Sequence, residues 1–515
     1  MPFRRSHIFI LLIILPATGI CFLSISCNND HPATAAQLDG KALSEKYCKS
    51  CHQYPQAGLL DQETWGKHVL PAMARRLGIA VYAEDQYANV PSAKSALGYE
   101  DWLKIVNYYK TTAPKVLKPA KVPLRPVTDM GVFSLLKAPK GQTPATTTLI
   151  AYDSISHRIF TSDGMSHSVN QWSARLKLLS SQKYSSPAVD VVFNKDETGV
   201  EHGMFTFIGS MDAIDIANGM VINIPINTKQ GSDHKPLADG LPRPVKSRRA
   251  DMDKDGLQDL VICGFGHNGG GLYWYKQLAG KQFQRHIIST MPGAEQIEVS
   301  DYNHDGWPDV MCMFAQAEEG IWMFLNNHKG GFTTTNLLRF PPVYGSSSFQ
   351  LVDFNFDGKP DILYTGGDNS DYSKILKPYH GVYIYMNQGN FKFKQTYFYP
   401  VNGATKAVAA DFNGDGKLDL ALIAFFPDLK NNPREGFTYF EQDKYMHFVP
   451  HNLPIDRYGR WICMDVTDYN GDGKPDIILG NYSFGFINQE GLIPAWDAYT
   501  PFVILKNIGH LQSNK

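Results

Sequence analysis

The stretch DFNFDGKPDILYTGG, residues 353–367, joins a polar loop to an apolar run. Acidic or amide side chains stand at alternate positions of the loop, a glycine follows the third of them, and an aspartate closes the loop at its ninth position. The run that follows contains β-branched and aromatic residues, which favour a strand. The stretch therefore predicts a tight acidic turn that leads directly into a β-strand.

The same nine-residue pattern, D-x-[DN]-x-D-G-x-x-D, occurs five times, beginning at residues 251, 301, 353, 411 and 468. Oxygen ligands at alternate positions of a turn that a glycine bends sharply are what a hard cation such as Ca²⁺ requires. The closing aspartate would supply the last carboxylate. The predicted calcium ligands are Asp251, Asp253, Asp255, Asp259, Asp301, Asn303, Asp305, Asp309, Asp353, Asn355, Asp357, Asp361, Asp411, Asn413, Asp415, Asp419, Asp468, Asn470, Asp472 and Asp476.

Apolar runs flank each loop on both sides, where an EF-hand would have helices. Most units of roughly 50 residues contain four such runs, which is the number of strands in a propeller blade. The repeat resembles the FG-GAP or VCBS repeat of integrin-alpha-like propellers over about residues 242–509. The resemblance implies a β-propeller in which such loops hold Ca²⁺ as a structural element rather than as a regulatory or catalytic site.

Residues 130–241 have a similar length per unit but lack the acidic loop, and they are predicted to form two degenerate blades. Together with the five repeats they give seven blades. The last copy lacks a fourth strand, so we expect MGVFSLLKA, residues 130–138, to pair into the last blade. This pairing would close the ring and remove an exposed sheet edge.

A second motif, YCKSCHQYP at residues 47–55, contains Cys48, Cys51 and His52 in the C-x-x-C-H pattern of covalent haem c attachment. One helical turn places both sulfurs near the vinyl groups of a porphyrin, and His52 can then face the iron. A redox dithiol would have no use for the adjacent histidine. A zinc site would need a second ligand pair nearby, and none follows.

Residues 36–116 resemble a small cytochrome c, with YEDWLKIVNYYKTTAP as the last helix. The sixth iron ligand should be a methionine or a histidine. Met73 is predicted, with His68 as the competitor. The fold class expected is multidomain: a small all-α cytochrome c domain at 36–116, a proline- and lysine-rich linker at 117–129, and an all-β seven-bladed propeller at 130–515.

Residues 1–27 have the features of a targeting segment, with Arg4 and Arg5 before an apolar stretch. The segment ends in LSISCNND and resembles a bacterial lipoprotein signal, which implies acylation of Cys27. The alternative is a plain secretory signal with an incidental cysteine. Either version implies an exported protein; the lipoprotein would be periplasmic, in the outer membrane or at the cell surface, and attached to the membrane through its N-terminal lipid alone.

Composition excludes one class of partner. The chain of 515 residues has 49 basic and 50 acidic residues, a net charge of -1, and no long basic run, which argues against nucleic acid. Cys263, Cys312 and Cys463 lie in apolar, strand-like runs, where free cysteine behaves as a small hydrophobe. No disulfide is therefore expected.

One face of the predicted propeller collects polar loops opposite the acidic ones. The loop 366–381 is the best single candidate for ligand binding or acid–base chemistry. Its alternative is structural, with the first two polar residues capping a turn and the histidine bonding to backbone. Its polar residues are Asp368, Asn369, Asp371, Lys377, Tyr379 and His380. Neighbouring loops on this face contribute His267, Asn268, Glu295, Gln296, Gln316, Glu318, Glu319, Tyr344, Lys406, Arg457 and Arg460.

Three functions remain open at this point. The first is an electron-transfer protein with one covalent haem c and up to five Ca²⁺ ions, whose propeller binds a redox partner or a polar ligand. The second is an enzyme that oxidises a sugar or other polar substrate on the propeller and passes electrons to the haem. The third is an adhesion or carbohydrate-binding propeller with the haem as a sensor. No G-x-G-x-x-G nucleotide motif follows a strand.

Overall fold

The structure is a computed structural model, and it describes residues 38–90, 96–226, 234–280, 282–370, 372–487, 489 and 491–509. These residues form a mainly helical N-terminal segment followed by seven four-stranded antiparallel sheets. The predictions for the leader 1–27 and for Cys27 lie outside the described residues, as does the prediction for Asp371. Among the described helices, none has the length and apolar character needed to cross a membrane.

The N-terminal segment is not purely helical, which corrects the all-α prediction. Between its third and fourth helices lies a two-stranded hairpin in which Asp85 takes the left-handed conformation, with φ 65°. The helices are α1 (Gly40–Cys48), α2 (Gln62–Thr64), α3 (Leu70–Arg76) and α4 (Tyr99–Thr112), with a π-helical turn at Trp65–Val69 and a 3-10 turn at Ala57–Leu59. The hairpin consists of β1 (Ala80–Ala83) and β2 (Gln86–Ala88).

Helix α4 packs across α1. The crossing is close, since a Cβ atom added to Gly40 would lie 2.2 Å from the carbonyl oxygen of Lys104. Trp102 and Tyr109 are buried on the inner face of α4, and the Tyr109 ring lies 4.3 Å from that of Trp65. The segment therefore has an apolar core of its own, on which the positions of its cysteines depend.

The sheets follow one another along the chain as blades 1 to 7. The strand that precedes them is β3 (Phe133–Lys137). Blades 1 and 2 contain β4 (Thr147–Asp153), β5 (Arg158–Asp163), β6 (Ser168–Ser173), β7 (Leu178–Lys183), β8 (Ala188–Lys195), β9 (Glu201–Phe207), β10 (Gly219–Pro225) and β11 (Ala238–Leu241). These are the two blades predicted without an acidic loop.

Blades 3 to 5 contain β12 (Pro244–Ala250), β13 (Asp259–Gly264), β14 (Gly271–Leu278), β15 (Gln282–Ser289), β16 (Ala294–Ser300), β17 (Asp309–Phe314), β18 (Gly320–Asn326), β19 (Phe332–Arg339), β20 (Ser346–Val352), β21 (Asp361–Gly366), β22 (Gly381–Asn387) and β23 (Phe393–Pro400). Blades 6 and 7 contain β24 (Ala404–Ala410), β25 (Asp419–Ala424), β26 (Phe437–Lys444), β27 (His447–Asn452), β28 (Trp461–Thr467), β29 (Asp476–Asn481) and β30 (Phe502–Asn507), with 3-10 turns at Pro433–Gly436 and Asp456–Tyr458.

The ring closes as the sequence predicts. Strand β3 pairs antiparallel with β30 and becomes the fourth strand of blade 7, with Phe133 opposite Asn507 and Lys137 opposite Val503. The seven-bladed propeller is therefore held shut by a strand that precedes blade 1 in the chain. Every acidic loop lies between the first and second strands of its blade, which places all five on one side of the ring.

Polar side chains on the innermost strands join one blade to the next. In six of the seven junctions, a side chain of one inner strand bonds to backbone of the following inner strand. The bonds are Thr148 to Ala188 (2.7 Å), Ser247 to Asp190 (3.1 Å), Phe349 to Gln296 (3.3 Å), Ala409 to Gln350 (2.7 Å), Lys406 to Met464 (2.8 Å) and Tyr152 to Asp465 (2.7 Å). Two residues predicted on the polar face, Gln296 and Lys406, thus serve the ring itself.

Residues 117–129 contain an isolated bridge between Val127 and His451 but no helix or longer strand. The segment lies along blades 5 and 6, because Val127 bridges to blade 6 and the Tyr399 hydroxyl on blade 5 donates to the carbonyl of Leu124 at 2.7 Å. Cys263 and Cys312 are buried in β13 and β17, in the apolar runs identified from the sequence. The domain boundaries themselves stay predictions.

Candidate ligand cavity and acidic loops

A cavity of about 360 Å³ lies between the helical segment and the propeller face that carries the polar loops. Its helical wall includes Cys48, Cys51, His52 and Met73, the four residues predicted to hold a haem. The competitor His68 lies on the π-helical turn and lines a different cavity. The fold therefore brings the four predicted residues to one site and leaves His68 outside it.

Local geometry explains how the motif reaches the cavity. Asp39 caps α1 by accepting a hydrogen bond from Ala42 N at 2.8 Å, and the helix ends at Cys48. The chain then makes one further turn, with Cys51 N 3.5 Å from the carbonyl oxygen of Cys48. Both sulfurs consequently lie on the same wall. Burial raises the pKa of the Cys48 thiol to about 11.

His52 is held in one orientation. The residue is 9% exposed, and Nδ1 lies 2.9 Å from the carbonyl oxygen of Gln53. Because a carbonyl accepts only, Nδ1 carries the proton in the neutral ring and Nε2 keeps its lone pair. Burial holds the pKa of His52 below its usual value, against the opposing effect of the Gln53 carbonyl. A neutral imidazole fixed by a backbone carbonyl is the usual form of a metal ligand.

The remaining helical wall is mainly apolar and contains one unpaired donor. Tyr109 donates to the carbonyl of Pro55 at 2.8 Å, and Trp65 Nε1 donates to the carbonyl of Ala57 at 2.9 Å. Trp102 also lines the cavity, but its buried Nε1 has no hydrogen-bond partner within the described residues. An indole N–H can only donate, so this atom favours a ligand that carries an acceptor.

The propeller wall of the same cavity is polar. It comes from the loops between the second and third strands of blades 3, 4 and 5, and from the loops that begin blades 4 and 5. Glu319 is 2% exposed, and its Oε1 accepts from Gly345 N at 3.0 Å and from Ser346 N at 3.4 Å. Burial raises the pKa of Glu319 to about 8, so the carboxyl is mostly protonated at neutral pH. Sequence reasoning placed Glu319 on this face but gave it no particular role.

Only some of the predicted residues of the loop 366–381 line the cavity. Asp368 and Lys377 line the cavity, whereas Asn369 and His380 do not. Asp368 Oδ1 accepts from Ser370 N at 3.0 Å, and Asn369 Nδ2 donates to the carbonyl of Ile375 at 2.9 Å, as the structural alternative expects. These residues are therefore not gathered into one catalytic cluster.

His380 is 1% exposed, and its backbone N–H donates to the carbonyl of Lys377 at 3.1 Å. Burial, assisted by the Lys377 charge, lowers the pKa of the His380 ring well below its usual value. Tyr379 donates its hydroxyl to the carbonyl of Leu59 at 2.9 Å, and its ring stacks on Tyr344 at 4.7 Å. The loop thus fastens the helical segment to the propeller.

Other predicted face residues have structural partners. Arg460 is 3% exposed and donates to the carbonyls of Phe425, Gly485 and Phe486 at 2.7 to 3.0 Å. Burial lowers the pKa of its guanidinium to about 9. Glu318 forms a two-pronged ion pair with Arg339, in which Nε lies 2.7 Å from Oε2. Arg460 therefore joins loops of blades 6 and 7, and Glu318 lies in the loop that contributes Gln316 and Glu319 to the cavity.

Asn268 and His267 line the cavity beside Gln316, and Asn268 accepts a hydrogen bond from the guanidinium of Arg76 on α3. Arg457 packs on the ring of Tyr458. Glu295 is not among the cavity residues, and burial raises its pKa to about 7.

The acidic loops have the turn that the sequence predicts. In the first, Asp251 accepts from Asp255 N at 3.1 Å and from Gly256 N at 3.0 Å. Gly256 has φ 86°, a conformation that favours glycine. Carboxylate oxygens of Asp251, Asp253 and Asp259 lie within 4.8 Å of one another, and Lys276 forms ion pairs with Asp253 and Asp255.

The closing aspartates have a role inside the blade that sequence reasoning missed. Each is the first residue of the second strand, is at most 1% exposed, and accepts a backbone N–H from the far end of the third strand. The bonds are Gln277 to Asp259 (2.7 Å), Asn326 to Asp309 (2.8 Å), Asn387 to Asp361 (2.7 Å), Gln442 to Asp419 (2.8 Å) and Asn507 to Asp476 (2.7 Å). Burial raises the pKa of Asp419 and Asp476 to about 6.

Two curated relatives share part of the sequence. A T-cell immunomodulatory protein homolog from Plasmodium falciparum (isolate 3D7) is 28% identical over 24% of this chain, and one from Plasmodium yoelii yoelii is 24% identical over 34% of it. The matched segments span 18% and 25% of those relatives, so the chain covers about a quarter of their length or less. Virginiamycin B lyase from Staphylococcus aureus is a solved structure with 10% identity and a TM-score of 0.45, covering 73% of this chain and 99% of that one.

The repeat itself is recognised by family models. The FG-GAP-like repeat matches residues 251–312, 301–364 and 374–422, and the FG-GAP repeat matches residues 464–493. The matches fall on blades 3 to 7, where the acidic loops occur. The chain therefore contains FG-GAP repeats, and these repeats form blades of a seven-bladed β-propeller.

Proposed function

We propose that the chain is an exported haem c protein that transfers single electrons, and that its propeller covers the haem and offers a binding surface. The supporting observation is that Cys48, Cys51, His52 and Met73 line one cavity. In this proposal the two cysteines would hold the haem through thioether bonds, His52 Nε2 and Met73 Sδ would bind its iron, and the haem would supply reversible one-electron chemistry.

Three features of the site fit such a group. The fixed tautomer of His52 leaves Nε2 available, and the wall around it contains apolar side chains such as Leu60 and Leu70. Trp102 Nε1 is a buried donor without a partner in the described residues, and a haem carries carboxylate acceptors at its edge. The position of His68 beside another cavity supports Met73 as the sixth ligand.

The test is a pyridine haemochrome assay on full-length protein matured in a host that attaches haem c. We expect one haem per chain in the wild type and less than a tenth of that in Cys48→Ala/Cys51→Ala. Cys463→Ala, a cysteine change inside the propeller, is the matched control and should retain its haem. A colourless wild-type protein with a native melting transition would refute the proposal.

The redox partner is proposed to approach at the end of α1. Cys51 is exposed, and so are Lys46 and Lys49 beside it, which favours a partner with an acidic face. Exchange of Lys49 for glutamate should slow reduction by an acidic donor protein and weaken its dependence on salt, whereas Lys118→Glu in the exposed linker should not. Equal rates for both variants would exclude this face.

An oxidoreductase acting on a polar substrate is the second candidate, because Glu319 and Lys377 on the propeller are buried and line the same cavity. Reduction of the haem by a purified sugar or alcohol, without a protein donor, would favour it over the carrier. Binding of a glycan without any reduction would instead favour the adhesion function.

The acidic loops are proposed to hold Ca²⁺ as a structural element. Clustered oxygens of Asp251, Asp253 and Asp259 support this role, and Asp253 Oδ1 is buried without a partner in the described residues. The export of the chain and the acylation of Cys27 are proposals from the leader sequence. Mass spectrometry of the mature N-terminus tests them, and an unmodified Cys27 would exclude the lipid anchor.

A further inference from the structure

The propeller wall of the cavity contains several buried polar atoms that lack a hydrogen-bond partner within the described residues. They are Glu319 Oε2, Ser373 Oγ, His267 Nδ1 and Gln316 Oε1. Glu319 is 2% exposed and Ser373 is 7% exposed. Buried polar atoms are normally paired, so four atoms without a described partner, from three loops around one cavity, indicate a site that a ligand completes.

The charged side chains at this wall indicate the charge of the ligand. Lys377 is 5% exposed, lines the cavity and interacts electrostatically with Glu319. Asp368 also lines the cavity, but its Oδ1 is engaged by the backbone and hydroxyl of Ser370. Arg76 adds a second cation from the helical wall.

The polar atoms without a described partner include an acceptor, Gln316 Oε1, as well as groups that can donate. Glu319 Oε1 accepts two backbone N–H groups, so the proton of the neutral carboxyl belongs on Oε2, which then donates. The Ser373 hydroxyl and the Lys377 ammonium donate as well. Two cations and two hydroxyl-type donors favour an anionic oxygen ligand, and a carboxylate fits this set best.

We propose that the propeller wall binds the propionate carboxylates of the haem, with Lys377 supplying the charge and Ser373 and Glu319 the hydrogen bonds. This inference rests on the proposed function and adds to it that the propeller helps to set the reduction potential. The helical segment attaches the group, and the FG-GAP propeller stabilises its charged edge.

The experiment is a spectroelectrochemical titration of the full-length protein with Lys377→Met. Loss of a cation beside the carboxylates favours the oxidised form, so at a fixed applied potential the ratio of reduced to oxidised protein should fall about threefold to tenfold, where tenfold corresponds to ~59 mV. Lys377→Arg keeps the charge and should restore most of the shift. Lys374→Met is the matched control, since Lys374 is exposed in the same loop and lines the other cavity.

Infrared difference spectra of reduction give a second readout that does not depend on the size of the shift. With haem labelled with ¹³C at the propionates, the carboxylate bands should move in Lys377→Met and Ser373→Ala but not in Lys374→Met. Unchanged bands and an unchanged potential in a variant that retains its haem would overturn the inference.

A shift of the wild-type potential by added acetate or succinate, with no change in the propionate bands, would also overturn the inference, because the wall would then bind a free carboxylate. Absence of haem from the wild type is a separate outcome, which refutes the proposed function. The two failures are therefore distinguishable.

Discussion

Replacement of Phe133 by alanine tests how the propeller is closed. Phe133 lies on β3, is 2% exposed, and packs edge-on against Phe412 at 5.6 Å and Tyr439 at 5.4 Å between ring centroids. Truncation of a buried phenylalanine costs about 3–5 kcal/mol, and each lost aromatic pair accounts for about 0.5–1.5 kcal/mol beyond area burial. We therefore expect a loss near the upper end, ~4–5 kcal/mol.

Urea unfolding followed by tryptophan fluorescence measures this loss, from the change in midpoint at constant slope. Leu136→Ala is the control in the same strand, because Leu136 is 37% exposed and should lose only about 1 kcal/mol. If Phe133→Ala is no more destabilising than Leu136→Ala, β3 does not close blade 7. A large loss confined to Phe133→Ala supports closure.

Three further predictions concern the ligands and the buried acid. Removal of Ca²⁺ by a chelator should lower the melting temperature by several degrees, because a site with free Ca²⁺ at a hundred times its Kd stabilises the folded state by ~2.7 kcal/mol. An unchanged melting temperature would exclude the structural role. Met73→Ala should abolish the sulfur-to-iron charge-transfer band of the oxidised protein while His68→Ala leaves it intact, and the reverse pattern would assign His68. Burial raises the pKa of Glu319 from 4.5 to about 8, so its contribution to stability is full below pH 4.5 and is lost as the pH rises through about 8. The melting temperature of Glu319→Gln should therefore fall less steeply than that of the wild type between these pH values. Parallel curves for the two proteins would contradict the raised pKa.

The number of blades and the closing strand could be predicted from the sequence because both follow from local patterns. Five acidic loops predict five blades, and the lack of a fourth apolar run in the last copy, after PFVILKNIG at 501–509, indicates that residues 130–138 complete it. The hairpin β1–β2 was missed because its short strands, AVYA and QYA, carry no alternation that separates them from a loop. Whether strands this short form depends on the residues that pack around them in the folded protein.

The candidate site could be predicted only in part. Cys48, Cys51 and His52 could be selected from the sequence because the C-x-x-C-H motif is a local pattern whose spacing spans one helical turn. The contact between Tyr379 and Leu59 joins residues 320 positions apart, and no local pattern encodes such docking. For the same reason Glu319 could be placed on the polar face, while its burial against Gly345 and Ser346 could not be foreseen.

Ring closure also sets an order of events during biosynthesis. Ser134 and Lys506, which pair across the joint, lie 372 residues apart, so a growing polypeptide produces β3 long before β30 exists. Until β30 is made, the ring of blades stays open, and blade 7 lacks the strand with which β3 pairs. The propeller can therefore close only after its last blade has been synthesised.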